Sequence, residues 1–420
     1  MAKSACADVT DASGRRAKDG QRVRRRQVFF VPGYDPHPAR RYRELYRKEA
    51  ASQSAISGYR IAVTGTGRQG WAATAVMETA PAGAAAAAAP VETQFEVLRW
   101  NDIVRGNLDG SIARIYLRMA RTLWRYLASG ALLALIRLRP APMVAALAPV
   151  GFMILYLLAA GLVGWVAFAL TALVGLPVWA GLPAAVLSFL AVMAATRRLE
   201  PWLFTYYLMS DFAHVASAHG AWPPDLDRRM VAFCERIAQA LSAPFDEVLI
   251  VGHSSGAQIA VSLTAELLSH PGADRLALLT LGQSVPMTSF LPKADTLRAD
   301  LRRLAVGPAP WLDVSAPGDG AAFALCDPVS VSGVAPPGQR WPVVMSAAFR
   351  QTLSVSRMRQ MRWRYFRRHI QYLCAFDHPG DYDYFAITAG PIRLAERIAG
   401  RRSSPSRRTG PSAPIRHRAA

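Results

Sequence analysis

The chain has 420 residues, of which 52% are hydrophobic, and this content excludes a wholly disordered protein because a sizeable core can form. Its 49 Lys and Arg against 29 Asp and Glu give a formal net charge of +20, which indicates a polyanionic neighbour such as anionic lipid or nucleic acid. The four cysteines are widely spaced without a Cys-x-x-Cys pair, which argues against a disulfide framework and a zinc site.

The first hundred residues alternate between strand and helix patterns. Residues 1–26 are polar and basic without an apolar period, so we expect a disordered arm and no cleaved export peptide. Residues 27–106 are expected to form the first part of an α/β domain, and residues 80–90, rich in alanine, a surface excursion. The predicted elements are a strand at 27–31, a helix at about 38–54, a strand–helix unit that begins at Arg60, and a strand at 95–100.

A long uncharged segment interrupts this domain. The 57 residues 140–196 contain no Asp, Glu, Lys, Arg or His. Because a helix that crosses the hydrocarbon core takes about 20 residues, the length accommodates two spans and a short turn. We place the spans at about 146–170 and 178–195, with the turn at 174–177, where Gly and Pro interrupt the helix. Residues 140–198 are therefore predicted to form a transmembrane helical hairpin; a buried hairpin in a soluble core is the alternative.

The flanks of the hairpin predict its orientation. Arginines precede the first span and follow the second, which places both ends of the hairpin, both termini and the folded domain in the cytoplasm. Residues 107–139 have the pattern of amphipathic interfacial helices. We expect anionic membrane lipids as partners of these helices and of the basic tails, the second of which covers residues 399–420. Nucleic acid is not expected, since no folded nucleic-acid-binding motif accompanies the basic residues.

The α/β pattern resumes after the hairpin, in residues 199–398. Strands that alternate with helices predict a mostly parallel sheet covered by helices. If strands from both sides of the hairpin share one sheet, an even number of spans must separate them, and two spans satisfy this. The predicted elements are a helix at 230–241, a strand at 245–251, a helix at 257–269, and strands at 276–281 and 311–315.

A G-x-S-x-G motif, Gly252-His253-Ser254-Ser255-Gly256, lies between the strand at 245–251 and the helix that follows. This is the strand–turn–helix context of a nucleophile elbow, in which Ser254 would be the nucleophile. Strand and helix backbones crowd together at such a turn, so glycine is needed at positions 252 and 256. The amide of Ser255, at the start of the helix, would donate to an oxyanion. A tight Gly-Ser turn without chemistry is the alternative.

On this motif the chain resembles the α/β-hydrolase superfamily, particularly its lipase-like and esterase-like members, over residues 27–100 and 205–395 with the hairpin as an insertion. The resemblance implies a Ser, then an Asp or Glu, then a His in chain order. Asp319, at the exit of the strand at 311–315, is the favoured acid, with Asp327 as its rival. Each also has a plain structural interpretation, Asp319 as a turn residue and Asp327 as a helix cap.

The resemblance also implies a base and an oxyanion loop. His369 is the favoured base, because a tyrosine follows it three residues later as in lipase-like endings, and His378 is its rival. His253 is expected to support the elbow and not to transfer protons. The turn after the strand at 27–31 would supply the second oxyanion donor, with Gly33 permitting close approach and Tyr34 carrying the amide.

These predictions combine into one functional hypothesis. The chain is expected to be a membrane-anchored serine hydrolase that cleaves an ester or thioester through an acyl-enzyme intermediate, without a metal or cofactor. Anchoring favours lipid-like substrates. The alternative is a non-catalytic membrane scaffold or lipid-binding protein that retains the fold.

Overall fold

One β-sheet organises the polypeptide. The computed structural model describes residues 22–67, 70–77, 89–108 and 110–414, and in this part of the chain eight strands form one sheet. The strands are β1 (Arg25–Val31), β2 (Arg60–Gly65), β3 (Gly70–Val76), β4 (Val91–Val97), β5 (Glu247–His253), β6 (Leu276–Leu281), β7 (Trp311–Ser315) and β8 (Val343–Ser346). Their order across the sheet is β2-β3-β4-β1-β5-β6-β7-β8, and only β3 runs antiparallel to its neighbours. The predicted α/β class with a mostly parallel, helix-covered sheet is confirmed.

Helices lie in the connections between the strands and in the segment after the last strand. Before β5 they are α1 (Ala39–Ser57), α2 (Asn101–Leu108), α3 (Ile112–Ala128), α4 (Ala131–Leu138), α5 (Pro140–Leu173), α6 (Val178–Thr196), α7 (Glu200–Leu203), α8 (Thr205–Ala216) and α9 (Pro224–Ser242). After β5 they are α10 (Gly256–Glu266), α11 (Val285–Ser289), α12 (Asp295–Val306), α13 (Pro328–Val331), α14 (Phe349–Thr352), α15 (Val355–Gln360), α16 (Tyr365–His369), α17 (Tyr384–Ala389) and α18 (Leu394–Ile398). Short 3₁₀ turns cover Arg197–Leu199, Leu267–Ser269, Ala273–Arg275 and Ile370–Leu373.

The central strands are buried on both faces. Successive side chains of a strand point to opposite faces, so β5 contributes Leu249 and Val251 to one hydrophobic cluster and Val248 and Ile250 to the other. An uninterrupted apolar run is what a parallel sheet covered on both sides requires. The carboxyl ends of β1, β5, β6 and β7 consequently meet at one edge of the sheet.

The strand–helix unit predicted from Arg60 is wrong. β2 is followed by β3, which pairs with it in antiparallel register from Arg60 opposite Val76 to Gly65 opposite Trp71. In β3 the buried residues Trp71, Ala73 and Ala75 alternate with more exposed ones, which is the period of a half-buried strand. The small alanines weaken this signal in the sequence. Most of the alanine-rich stretch at 80–90 lies outside the described residues.

The prediction of a disordered arm over residues 1–26 is wrong for residues 25 and 26, which lie in β1. Residues 1–21 lie outside the described residues, but Arg26 is fully buried in β1. Its Nε donates to Glu247 Oε2 at 2.6 Å and its Nη1 to the Gly390 carbonyl oxygen at 2.7 Å. A buried arginine needs such partners. Because Arg26 has them, β1 begins two residues earlier than the apolar residues alone indicate.

The prediction of a disordered tail over 399–420 is wrong for residues 399–414, which pack on the folded domain; the last six residues lie outside the described part. The Ser404 amide donates to the Val344 carbonyl at 2.7 Å, and the Arg408 amide donates to the Leu325 carbonyl at 2.8 Å. Ala413 is 1% exposed. Basic composition indicated solvation, but individual backbone hydrogen bonds hold this segment in place.

Two apolar helices, α5 and α6, form the predicted hairpin and are long and apolar enough to cross a membrane. Their most apolar 18-residue windows have mean hydropathies of 2.3 and 2.0, and only 22% and 11% of these windows are buried. The turn falls at 174–177 as predicted. At Gly164 of α5 a Cβ would lie 3.0 Å from the Ala185 carbonyl oxygen of α6, so glycine lets the two helices approach closely.

α5 is longer than the predicted first span because its first half packs on the folded domain. Met143, Met153 and Tyr156 are buried there. The Tyr116 hydroxyl of α3 donates to the Met153 carbonyl at 2.7 Å, and the Tyr156 hydroxyl lies 3.2 Å from Thr205 Oγ1 of α8. The second half of α5 exposes large apolar side chains instead, and these are the residues that an apolar solvent would surround.

Helices α2 to α4 occupy the region predicted to be amphipathic. On α3, Ile115 and Tyr126 are buried against the protein, whereas Trp124 and Leu127 are 72% and 59% exposed. The helix therefore has apolar residues on a covered face and on an open face. Packing within the described structure does not account for the apolar residues of the open face. Such a face is expected for a helix at a membrane surface.

Candidate active site

Ser254 lies in a sharp turn between β5 and α10. Its φ is 57°, in the left-handed region that is strained for a residue other than glycine. The turn is held by its own backbone, because the Ser254 amide donates to the Leu281 carbonyl at 3.0 Å and the Ser254 carbonyl accepts from the Ala257 amide at 3.1 Å. Ser254 is partly exposed while its neighbours are buried. The fold thus presents one hydroxyl at the carboxyl edge of the sheet.

The two glycines of the motif are required by contacts with backbone atoms. A Cβ on Gly256 would lie 2.4 Å from both the Val31 and Pro32 carbonyl oxygens. A Cβ on Gly252 would lie 2.6 Å from Cα of Ala257. Real Cβ atoms do not approach backbone this closely, so only glycine fits at either position.

The loop after β1 lies against Ser254. A Cβ on Gly33 would lie 2.9 Å from the Ser254 Cβ and 3.4 Å from its Oγ. The Tyr34 amide, predicted as an oxyanion donor, instead donates to Ser255 Oγ at 2.9 Å. The structure therefore brings the predicted donor to the elbow, but that N–H is occupied by the Ser255 hydroxyl and is not free.

His369 and Asp319 form a buried pair. The Nδ1 of His369, the last residue of α16, lies 2.7 Å from Oδ2 of Asp319, which follows β7. Asp319 also accepts from the Ala321 amide at 2.9 Å and from the Tyr372 hydroxyl at 3.0 Å. Burial raises the pKa of this carboxyl, but the charge of His369 and these hydrogen bonds outweigh burial and hold the pKa below its ordinary value. Asp319 is thus ionised at neutral pH.

Of the two ring nitrogens of His369, only Nδ1 is used in the contact with Asp319. Burial lowers its pKa, but Asp319, through its charge and its hydrogen bond, raises the pKa above the ordinary value. Because a carboxylate only accepts, Nδ1 carries the proton and Nε2 carries a lone pair when the ring is neutral. Nε2 is buried and has no hydrogen-bond partner among the described residues.

Several contacts hold His369 next to the elbow. His253, the residue before Ser254, donates from Nε2 to the His369 carbonyl at 2.9 Å, and the two ring centroids are 4.7 Å apart. Burial lowers the pKa of His253 to about 3, so it stays neutral in this role. Gly282 has a φ of 52° and lies close to both His369 and Asp319. A Cβ at Gly282 would lie 3.2 Å from His369 Cε1 and 3.3 Å from Asp319 Oδ2.

Asp327 and His378, the other candidates for the acid and the base, have different surroundings. Asp327 caps α13, where its Oδ1 accepts from the Val329 and Ser330 amides at 3.0 and 3.2 Å. His378 is exposed, and its amide donates to the Thr352 carbonyl at 2.9 Å. The structure therefore joins Asp319 with His369, whereas Asp327 is occupied as a helix cap and His378 faces solvent.

Sequence reasoning missed three residues of the site. Tyr372 was noticed only as a neighbour of His369 in the chain, yet one 3₁₀ turn places its hydroxyl on Asp319. Gly282 could have been found as a glycine directly after a buried strand. Asp211 of α8 has no signal in the sequence; its Oδ1 is buried without a partner in the described chain, and burial raises its pKa to about 7, although His369 partly opposes this.

Within residues 22–67, 70–77, 89–108 and 110–414, no group of three or more His, Cys, Asp or Glu is placed to hold a metal ion. No family model, no curated protein and no solved structure matches the chain. The functional interpretation therefore depends on the residues of the site.

Proposed function

We propose that this protein is a membrane-anchored serine hydrolase with an α/β-hydrolase-like catalytic domain. The observation that carries the proposal is the buried His369 beside the strained and partly exposed Ser254. His369 is hydrogen-bonded to ionised Asp319, and its Nε2 has no partner among the described residues. A serine hydroxyl becomes a nucleophile when a base accepts its proton and a carboxylate orients that base.

In the proposed reaction Ser254 Oγ attacks the carbonyl carbon of an ester or thioester while His369 Nε2 takes the hydroxyl proton. The imidazolium then gives this proton to the departing alcohol or thiol, which leaves an acyl group on Ser254. Water, activated by His369, hydrolyses the acyl-enzyme and restores the serine. Asp319 stays ionised and stabilises the imidazolium throughout, which its low pKa supports.

The oxyanion would be stabilised at the start of α10. Ser255 is the N-cap of that helix, so its amide lies at the positive end of the helix dipole. The Tyr34 amide becomes a second donor if the Ser255 hydroxyl turns away from it when substrate binds. Gly33 gives this loop its close approach to Ser254.

We propose further that α5 and α6 cross the bilayer as a two-span hairpin with the catalytic domain and both termini in the cytoplasm. Low burial of both helices supports the crossing, and the arginines at 137, 139, 197 and 198 support the orientation. A site held at a bilayer surface favours lipid-like or long-acyl substrates. Anionic lipids would pair with the basic flanks.

The central test is labelling of the membrane-embedded protein with a fluorophosphonate, which reacts with activated serines. Ser254→Ala is expected to abolish labelling, and Ser242→Ala, on the exposed face of α9, to leave it unchanged. Undiminished labelling of the Ser254→Ala protein would reject the proposal and favour a non-catalytic scaffold. The occupied Tyr34 amide is the observation that such a scaffold would explain.

The pH dependence of the same labelling reports on His369. Only the neutral imidazole accepts the serine proton, so the rate is expected to rise with pH through the His369 pKa, which lies above its ordinary value of 6.5. In Asp319→Asn the negative charge that raises this pKa is lost, so the midpoint should move to lower pH while the maximal rate falls by about 10⁴-fold. An unchanged midpoint in that variant, measured over a pH series, would contradict the pairing.

A further inference from the structure

A short segment that leads into His369 exposes arginines and aromatic residues together. We call residues 355–368, which contain α15 and the start of α16, the arginine–aromatic arm. All six residues of its central stretch, 362–367, are exposed. Trp363 is 76% exposed, Tyr365 56% and Phe366 38%. Three exposed aromatic side chains within four residues are not expected on a surface that faces only water.

The charge of the arm has a single sign. It contains six arginines and no Asp or Glu. Arg357 pairs with Asp377 at 3.3 Å, and Arg368 donates to the Gly318 and Met361 carbonyls at 3.1 and 2.9 Å. The other arginines of the arm form no ion pair within the described chain; they are Arg359, Arg362, Arg364 and Arg367.

The arm is continuous with the cytoplasmic end of the proposed hairpin. The Phe366 ring centroid lies 4.9 Å from that of Phe204 and 5.9 Å from that of Tyr207, in the segment that directly follows α6 and α7. Trp202, in α7 directly before this segment, is 81% exposed. Tryptophan and tyrosine rings among arginines are the composition of the boundary between headgroups and hydrocarbon.

We propose that the arginine–aromatic arm docks on the anionic surface of the bilayer that holds the hairpin, and that docking keeps His369 in place beside Ser254. Trp363, Tyr365 and Phe366 enter the headgroup boundary, while Arg362, Arg364 and Arg367 bind lipid phosphates. The link to the site is direct, because α16 ends at His369 and Arg368 holds the carbonyl of Gly318, the residue before Asp319. The effect on catalysis, though not the docking, rests on the proposed hydrolase function.

The test uses the full-length protein in nanodiscs of phosphatidylcholine alone and of phosphatidylcholine mixed with phosphatidylglycerol. Hydrogen exchange of residues 355–368 measures docking, and the rate of Ser254 labelling by a fluorophosphonate measures its effect on the site. Arg362→Gln/Arg364→Gln is the test variant. Arg228→Gln/Arg302→Gln, which removes two exposed arginines elsewhere, is the control with the same change of charge.

Anionic nanodiscs are expected to slow exchange in the arm and to accelerate labelling. The double variant should lose about 25-fold in the docking equilibrium, or about five-fold for each arginine near an anionic surface. The control should behave as the wild type. Equal exchange in the two nanodiscs, or protection that the double variant retains, overturns the proposal. Slowed exchange without any Ser254 labelling would instead uphold docking and reject the hydrolase.

Discussion

Replacing His369 with alanine is expected to lower the rate of Ser254 labelling and of ester hydrolysis by about 10⁴-fold. In the proposed mechanism the imidazole is the base, since its Nδ1 is fixed on Asp319 and its Nε2 is left unpartnered in the described chain. Steady-state hydrolysis of a short-chain ester by the detergent-solubilised protein measures the effect. A soluble substrate keeps the measurement independent of membrane docking.

His378→Ala is the matched control for this experiment. His378 is exposed and is also downstream of the elbow, so chain order alone treats it as an equal candidate. We expect the variant to retain wild-type rates. A loss of activity in His378→Ala together with an active His369→Ala protein would reverse the assignment of the base and show that the site rearranges before catalysis.

Gly256→Ala is expected to destabilise the catalytic domain by about 3 kcal/mol or more. The added methyl would meet the Val31 and Pro32 carbonyl oxygens at 2.4 Å, and Val31 is held in β1 opposite Gly252 of β5. Thermal unfolding followed by circular dichroism measures the loss. The result would establish that the elbow and the loop after β1 are packed as one rigid unit.

Gly106→Ala provides the comparison for that measurement. Gly106 lies in α2, and a Cβ there meets nothing within 4 Å. Alanine has the higher helix propensity, so this variant is expected to gain up to about 1 kcal/mol. Equal melting temperatures for the two variants would mean that the crowding at Gly256 relaxes at little cost, contrary to the expectation for a strained elbow.

The elbow was predictable because its requirements are local. A buried strand, a serine between two glycines and a helix follow one another within about twenty residues. The choice between acids was also partly local: Asp327 directly precedes a proline at the first position of α13, which is the pattern of an N-cap. Greater weight on that pattern would have separated Asp327 from Asp319.

The remaining site residues depend on distant parts of the chain. His369 and His378 differ in burial, which tertiary packing decides and no nearby residue signals. Asp211 is placed near the site by the path of α8 after the hairpin, so neither its spacing nor its neighbours mark it. The hydrogen bond from the Tyr34 amide to Ser255 Oγ was not predictable for a related reason, since the two residues meet only after β1 and β5 pair.

The pairing of β1 with β5 has a consequence for the order of synthesis. Val31 lies opposite Gly252, 221 residues later, and the proposed hairpin is made between them. At 5–20 residues per second, β1 waits about 10–40 seconds for that neighbour. During this time β1 is an apolar strand with one open edge, which invites pairing with other chains. If the hairpin enters a membrane as proposed, its early delivery there would hold nascent chains apart during the wait and so protect the domain while it folds.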